Sequence, residues 1–321
     1  MSSTRRAAIA GLLGAGIGSG LPSLAIAQTP APPVEPVLDE APTQLDTGHD
    51  RFEHILAPVA INGQGPFQFV IDTGANTSCV SRDLAARLAL TAGPPARVHT
   101  MIGVRERPSV LIDRLDIGGR SRKTVSAPSL PIMGDGVDGI LGIDWLKGQR
   151  LFLGFKARTM QITRSREERP IEGQVVIPAR RRMGQLTIVD ADLGNRRISA
   201  MIDSGSQVTI CNGALRDILL ASETRAEHAA PHQQISLETL AGEPFTGELL
   251  YMPFLRLGGL HLGNVPVVYA QNMHVFNVWN LTDTPAVILG MDLLTQFDAV
   301  SLDFGRSKVR FDISAAQAVR A

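Results

Sequence analysis

Short apolar runs separated by turn residues, rather than long helical periods, organise this chain. "FQFVI" (67–71) and "RISAMI" (197–202) are too short for helices. Their β-branched and aromatic content predicts buried strands. Two stretches carry a helical pattern, "SRDLAARLAL" (81–90) and "NGALRDILLASE" (212–223). "DWLKG" and "LLTQF" predict single helical turns at most. The remaining apolar segments alternate or run for four to six residues between glycines, so the chain reads as mostly β.

The same pattern occurs twice. An acid closes the strand in "FVIDTGANTSCVS" (69–81) and again in "AMIDSGSQVTICN" (200–212), and a helical stretch follows each time. Further on, "TMIGVRERPSVLIDRLDIGG" (100–119) aligns with "TLAGEPFTGELLYMPFLRLGG" (239–259), sharing T-x-x-G in front and L-x-x-G-G behind; the second copy is one residue longer. "DGILGIDWL" (138–146) matches "AVILGMDLL" (286–294), and both lead into a hairpin-like tail. Four blocks in one order predict two related lobes. The lobes are expected at 51–165 and 174–313, joined by "RSREERPIEG", with 166–173 as the connection.

A duplicated acid has a chemical meaning. Asp72 and Asp203 each end a buried strand, where a lone carboxylate is costly. Brought together by a pseudo-two-fold axis, the two cannot both ionise easily and share one proton. One can then accept a proton from a water while the other protonates a substrate carbonyl. Gly74 and Gly205 permit the two loops to approach without Cβ atoms. The Thr73 and Ser204 hydroxyls are placed to bond to the opposite loop. The next residue differs, Ala75 in one copy and Ser206 in the other. A Ser206 hydroxyl near one carboxylate would make the pair asymmetric, so Ser206→Ala is expected to move the acid limb of a pH-rate profile upward.

"VIDTGA" and "MIDSGS", each paired with a downstream "ILG", resemble the signature elements of aspartic proteases. Short lobes, glycine-bearing hairpins in both copies and the short helix after "ILG" are more similar to the retropepsin branch than to pepsins, and the first hairpin lacks the tyrosine of a pepsin. The resemblance covers roughly 52–313 and implies a bilobal fold of two retropepsin-like β-barrel lobes in a single, monomeric chain. It implies Asp72 and Asp203 as the catalytic pair of an aspartic endopeptidase, with Thr73, Gly74, Ala75, Ser204, Gly205 and Ser206 supporting them. It further implies that Met101, Ile102 and Gly103, with Leu240, Ala241 and Gly242, form the tips of two flaps over a polypeptide substrate bound in extended form. Selective cleavage of envelope or extracellular proteins, without a cofactor, is the activity expected on this analogy. A non-catalytic peptide-binding module on the same fold is the alternative, separable by a turnover assay.

The ends of the chain add a location. Residues 1–27 hold an Arg pair, an uncharged Ala/Gly/Leu stretch and the small-x-small end Ala25-Ile26-Ala27, the pattern of a cleaved export signal. Arg5 and Arg6 resemble a twin-arginine signal; an uncleaved anchor is the alternative. A periplasmic or secreted protein follows, without stable membrane insertion once the signal is cut. Residues 28–50, rich in proline and acids, read as a disordered linker or pro-segment, folded sequence is expected from Arg51, and 314–321 form a tail.

Composition excludes more than it assigns. Over 321 residues, 31 basic and 31 acidic side chains cancel, so no field favours nucleic acid or an anionic membrane. Cys79 and Cys211 stand at non-equivalent offsets from the two acids, which favours two buried thiols over a disulfide. His228 and His232 are separated by "AAP", which breaks the helix an i, i+4 zinc pair requires, so no metal site is expected. Asp144 and Asp292 read as caps of the short helices after "ILG". "ARRRMG" (179–184) reads as a solvated turn or hairpin.

Overall fold

The computed structural model describes residues 43–49, 54–131, 136–223 and 233–313. The expected export signal and C-terminal tail, and His228 and His232, lie outside them. The first half runs β1 (Thr43–Asp46), β2 (Gly48–His49), β3 (Ile55–Ile61), β4 (Gln64–Ile71), β5 (Cys79–Ser81), α1 (Arg82–Arg87), β6 (Thr91–His99), β7 (Val104–Ile117), β8 (Arg120–Leu130) and β9 (Gly139–Leu141). Two strands close it, β10 (Gln149–Gly154) and β11 (Thr159–Arg164). The second half repeats the series: β12 (Gln174–Arg182), β13 (Gln185–Leu193), β14 (Arg196–Ile202), β15 (Ile210–Cys211), α2 (Gly213–Glu223), β16 (Gln233–Glu238), β17 (Pro244–Leu257) and β18 (Leu260–Tyr269). It continues through α3 (His274–Val278), β19 (Ala286–Leu289), α4 (Met291–Leu294), β20 (Ala299–Asp303) and β21 (Lys308–Asp312).

Local chemistry explains the main features. Asn62 and Gly63 both adopt positive φ, the conformation a tight hairpin demands, and join β3 to β4. Ser81 caps α1 by accepting the Leu84 N–H (3.0 Å), and Asn212 caps α2 by accepting that of Leu215 (3.0 Å). Without the cap each of these short helices would leave one more N–H unsatisfied, a loss of about 1 kcal/mol.

Each half closes a barrel. In the first, β3-β4-β9-β5-β8-β7 are bonded in that order, and β7 returns to β3 through Ala60↔Asp116 and Ile61↔Leu115. In the second, β13-β14-β19-β15-β18-β17 close through Ala191↔Leu257 and Asp192↔Arg256. Both barrels are six-stranded and retropepsin-like. In each, the strand carrying "ILG" inserts between the acid-bearing strand and the short strand after it: β9 is parallel to β4 and antiparallel to β5, as β19 is to β14 and β15.

The closing strands of the two halves leave their barrels and pair with one another. β10 joins β20 from Arg150↔Asp303 to Gly154↔Ala299, giving a shared sheet in the order β1-β11-β10-β20-β21-β12. The strands near the expected lobe ends at 165 and 313 have apolar inner faces that find their partner in the other half. Leu151, Leu153, Met160, Ile162, Val300, Leu302, Val309 and Phe311 line that face, in one apolar cluster with Ile71 and Ile202, the residues just before the two acids. Fully burying one such side chain stabilises by about 1.5–3 kcal/mol. The fold also starts before Arg51, because β1 adds to the edge of β11 (Thr43↔Ile162 to Asp46↔Thr159) and β2 pairs with β3.

Candidate active site

β4 and β14 deliver Asp72 and Asp203 at equivalent ends. The Asp72 N–H bonds the Leu141 carbonyl (3.1 Å), and the Asp203 N–H bonds that of Leu289 (3.0 Å), so the "ILG" strand fixes each acid's backbone. The glycine of each "ILG" lies against the acid loop: a Cβ on Gly142 would come within 2.7 Å of the Ala75 carbonyl, and one on Gly290 within 2.9 Å of that of Ser206.

The two loops then lock across the axis. Thr73 Oγ1 donates to the Ile202 carbonyl (2.9 Å) and accepts the Ser204 N–H (3.0 Å). Ser204 Oγ donates to the Ile71 carbonyl (2.7 Å) and accepts the Thr73 N–H (3.2 Å). Both hydroxyl residues are buried, so all four bonds are shielded from water. Gly74 and Gly205 face the opposite acids so closely that a Cβ on either would overlap all three terminal atoms of the facing carboxylate.

The carboxylates therefore sit side by side in a desolvated place. Asp72 Oδ1 accepts N–H groups from Gly74 and Ala75 (both 2.8 Å), and Asp203 Oδ1 accepts that of Gly205 (2.9 Å). Burial pushes the Asp72 carboxyl well above the ordinary carboxylate range, and the charge of Asp203 adds to it. Burial also raises Asp203, which is 7% exposed, although the Gly205 N–H and the bond to Asp72 work against that rise. Such a pair holds one proton between two acids.

Family comparison agrees with this geometry. Residues 57–148 match the gag-polyprotein putative aspartyl protease model, and residues 189–293 match the aspartyl protease model. The tandem matches fall one on each barrel. The chain belongs to the retropepsin-like aspartic proteases. No curated protein matches it. As a two-lobed member of this family of protein-cleaving hydrolases, it carries both halves of the fold in a single chain.

In this retropepsin-like chain the segments expected as flaps are the tips of the β6–β7 and β16–β17 hairpins. A threonine closes each: the Thr100 N–H bonds the Gly103 carbonyl (2.8 Å) and the Thr239 N–H that of Glu243 (2.9 Å). Each tip packs on the opposite lobe. Met101 and Ile102 lie against the cluster of Met201, Ile210, Met273, Phe276 and Trp279, and the Met101 carbonyl accepts the Val275 N–H (3.2 Å). Leu240 and Ala241 lie against Leu56, Val70, Cys79, Leu130 and Ile140. Between the hairpins, Glu243 accepts from Arg105 (3.0 Å) and Arg107 (3.5 Å). A charge-assisted bond of this kind contributes roughly 1–1.5 kcal/mol. Glu243→Ala is accordingly expected to speed amide hydrogen exchange at 100–103 and 239–243 by about five- to tenfold, measured by mass spectrometry.

Two expectations change. Ser206 Oγ donates to the Val208 carbonyl (2.8 Å) within its own loop rather than to a carboxylate. It supports the loop and does not polarise the pair. Ser206→Ala should cost about 1 kcal/mol in thermal melts and leave the acid limb where it is. Asp144 and Asp292 are not helix caps, since the caps are Gly142 and Gly290 without side-chain bonds. Each acid reaches back to its own loop: Asp144 Oδ1 accepts Ser78 Oγ (2.8 Å) and Asp292 Oδ1 accepts Thr209 Oγ1 (2.8 Å). The two hydroxyls in turn accept the Gly142 and Gly290 N–H groups (3.1 and 3.2 Å), tying loop to "ILG" in both lobes.

Cys79 and Cys211 are free buried thiols on strands of different barrels, both pushed up to about 12 by burial. "ARRRMG" is a hairpin: Ala179–Arg182 end β12, and Met183 and Gly184, both at positive φ, make the turn into β13. Among the described residues no group of three or more His, Cys, Asp or Glu side chains is arranged to hold a metal ion, and no helix is long and apolar enough to cross a membrane. Sequence reasoning missed Gln185. It is 2% exposed, and its amide donates to the Gly74 carbonyl (2.8 Å) and Asn76 Oδ1 (3.0 Å) in the other lobe.

Proposed function

We propose that this chain is an exported, monomeric aspartic endopeptidase acting on polypeptide in extended conformation. The observation that carries the reading is the placement of two carboxylates, Asp203 buried and Asp72 half-buried, against each other's glycines, in loops cross-bonded by Thr73 and Ser204. In the monoprotonated pair the ionised acid takes a proton from a water, whose oxygen bonds to the peptide carbonyl carbon. The other acid gives its proton to the carbonyl oxygen. Proton transfer to the amide nitrogen then lets the C–N bond break, and the pair returns to one shared proton. No covalent intermediate with the chain and no cofactor is required.

The flaps would part to admit substrate and close over it, adding backbone bonds to a temporary strand. Both acids come from one polypeptide, which supports action as a monomer. Export rests on the leader-like pattern of residues 1–27, and selectivity for envelope or extracellular proteins rests on family analogy. Peptide-library cleavage by the chain from Gln28, read by mass spectrometry between pH 3 and 8, tests the reading. Clustered cleavage sites within peptides are expected; intact peptides with folded protein at every pH would overturn it in favour of a binding module.

A further inference from the structure

The two flaps differ in the residue that precedes the closing threonine: His99 stands before Thr100, but Glu238 before Thr239. His99 ends β6 and reaches His274, the first residue of α3 in the second lobe, with Nδ1 of one ring 3.0 Å from Nε2 of the other. The ring planes lie within 19° of each other and the centroids are 5.3 Å apart. That separation is the N···N distance plus one ring radius on each side, so the rings meet edge to edge with the two nitrogens pointing at each other, the geometry of a linear N–H···N bond. Two nitrogens this close and head-on leave no room for a metal ion between them, since each bond from zinc to an imidazole nitrogen spans about 2.0–2.1 Å. Beside the pair, the Met101 carbonyl accepts the Val275 N–H (3.2 Å), and Met101 and Ile102 rest on the cluster that holds Met273, Phe276 and Trp279.

We propose that the His99–His274 pair is a proton-operated latch, holding the first flap on the second lobe at neutral pH and releasing it in acid. The proposal rests on the flap reading of the β6–β7 hairpin and adds what controls its opening. One N–H···N bond needs one proton between the two nitrogens. It forms with both rings neutral, and with one imidazolium it becomes charge-assisted. With both rings protonated, two N–H groups point at each other and two like charges adjoin, so the bond gives way to repulsion. Release is therefore the second protonation of the pair. His274 is held below the ordinary histidine value, by burial first and then by the charges of His99 and Arg97. A base whose pKa is lower with the flap down takes its proton more readily once the flap lifts. Closure is thus favoured above the ordinary value near 6.5 and lost as pH falls below it. Arg97, two residues before His99, shares its face of β6 and has Glu106 of β7 opposite it. Arg105 and Arg107 of β7 are engaged by Glu243 of the second flap. α3 carries no other titratable side chain, and beyond its far end Arg182 of β12 donates to the Trp279 carbonyl.

Amide hydrogen exchange read by mass spectrometry tests this without any turnover. Protection, corrected for the intrinsic pH dependence of exchange, is followed from pH 8 down to pH 4.5. In the wild type it should fall about tenfold at 99–103 and 274–279 across that range, the equivalent of one pKa unit of differential protonation, while the buried strands β9 and β19 keep theirs. His99→Ala, at an exposed position, should show the low protection at every pH, with the pH dependence gone. Wild-type protection that stays level across the range overturns the proposal, and so does a His99→Ala protein that keeps the wild-type pH dependence. If His99→Ala does not fold, His274→Ala makes the same test from the other ring, and if neither folds the wild-type profile decides. If the wild type cleaves no peptide, the protease reading fails while the exchange profile still decides the latch; cleavage by a protein with a level profile sinks the latch alone.

Discussion

Replacing either acid by asparagine, Asp72→Asn or Asp203→Asn, is expected to lower peptide-bond cleavage by roughly a thousandfold while making the folded protein more stable at neutral pH. The first effect follows because a proton acceptor and a proton donor are both needed, and an amide supplies neither. The second follows from the direction of the shifts. Both carboxyls are raised in the fold above their ordinary value near 3.9, by burial first and, for Asp72, then by the charge of its neighbour. Between that value and the raised one, the folded pair binds more protons than the unfolded chain, so stability falls as pH rises through the window. Below the ordinary carboxylate range both states are protonated and the loss disappears. Asparagine removes one titrating group and the repulsion between the two adjacent charges. Thermal melts from pH 3 to 8 should therefore show the variant above wild type at pH 7 and the two curves converging towards pH 3. A variant less stable than wild type at pH 7 would mean that the carboxylate makes a compensating bond the geometry does not contain.

The second large effect belongs to the facing glycines. Gly205→Ala should destabilise the fold by about 1–3 kcal/mol, the usual cost of forcing a methyl into a filled space, and should abolish cleavage even in the fraction that folds. The new Cβ would overlap the Asp72 carboxylate, and neither loop can withdraw, because the Thr73 and Ser204 cross-bonds hold them at 2.7–3.2 Å. Gly74→Ala should behave alike against Asp203. The decisive measurement is a carbon-13 NMR titration of the two aspartate carboxyls: with the acids pushed apart, the two steps should draw closer together. Cleavage at the wild-type rate by either variant would show that the loops yield more than their bonding suggests.

The barrels were legible because their strands are continuous apolar runs and because the pattern is written twice. The acid loops were legible for the same reason: two copies of acid, hydroxyl and glycine at matching distances from "ILG" define a pair where one copy would be an ordinary turn. What could not be read is what depends on pairing. β10 and β20 show which face is apolar but not which strand they will meet, and "TQLD" (43–46) offers a single apolar residue, Leu45, to mark it as a strand. Asp144 and Asp292 look like caps because an acid stands just inside a helical turn; only the fold reveals Ser78 and Thr209 within reach. Ser206 could not be assigned a direction from its position. Gln185 stands alone at a strand start, and its reach to the Gly74 loop of the other lobe appears only in the folded chain.

The shared sheet has a consequence for how the molecule is made. Arg150 meets Asp303, and Gly154 meets Ala299, so the end of the first half waits for the last strands of the chain. A ribosome that has released only the first 165 residues presents β10 with an unclaimed edge and Leu151 and Leu153 without the second-half members of their cluster, Val300, Leu302, Val309 and Phe311. The N-terminal half produced by itself is therefore expected to pair with a second copy through that edge or to precipitate. Cutting the gene in two would yield sticky fragments rather than two small independent domains.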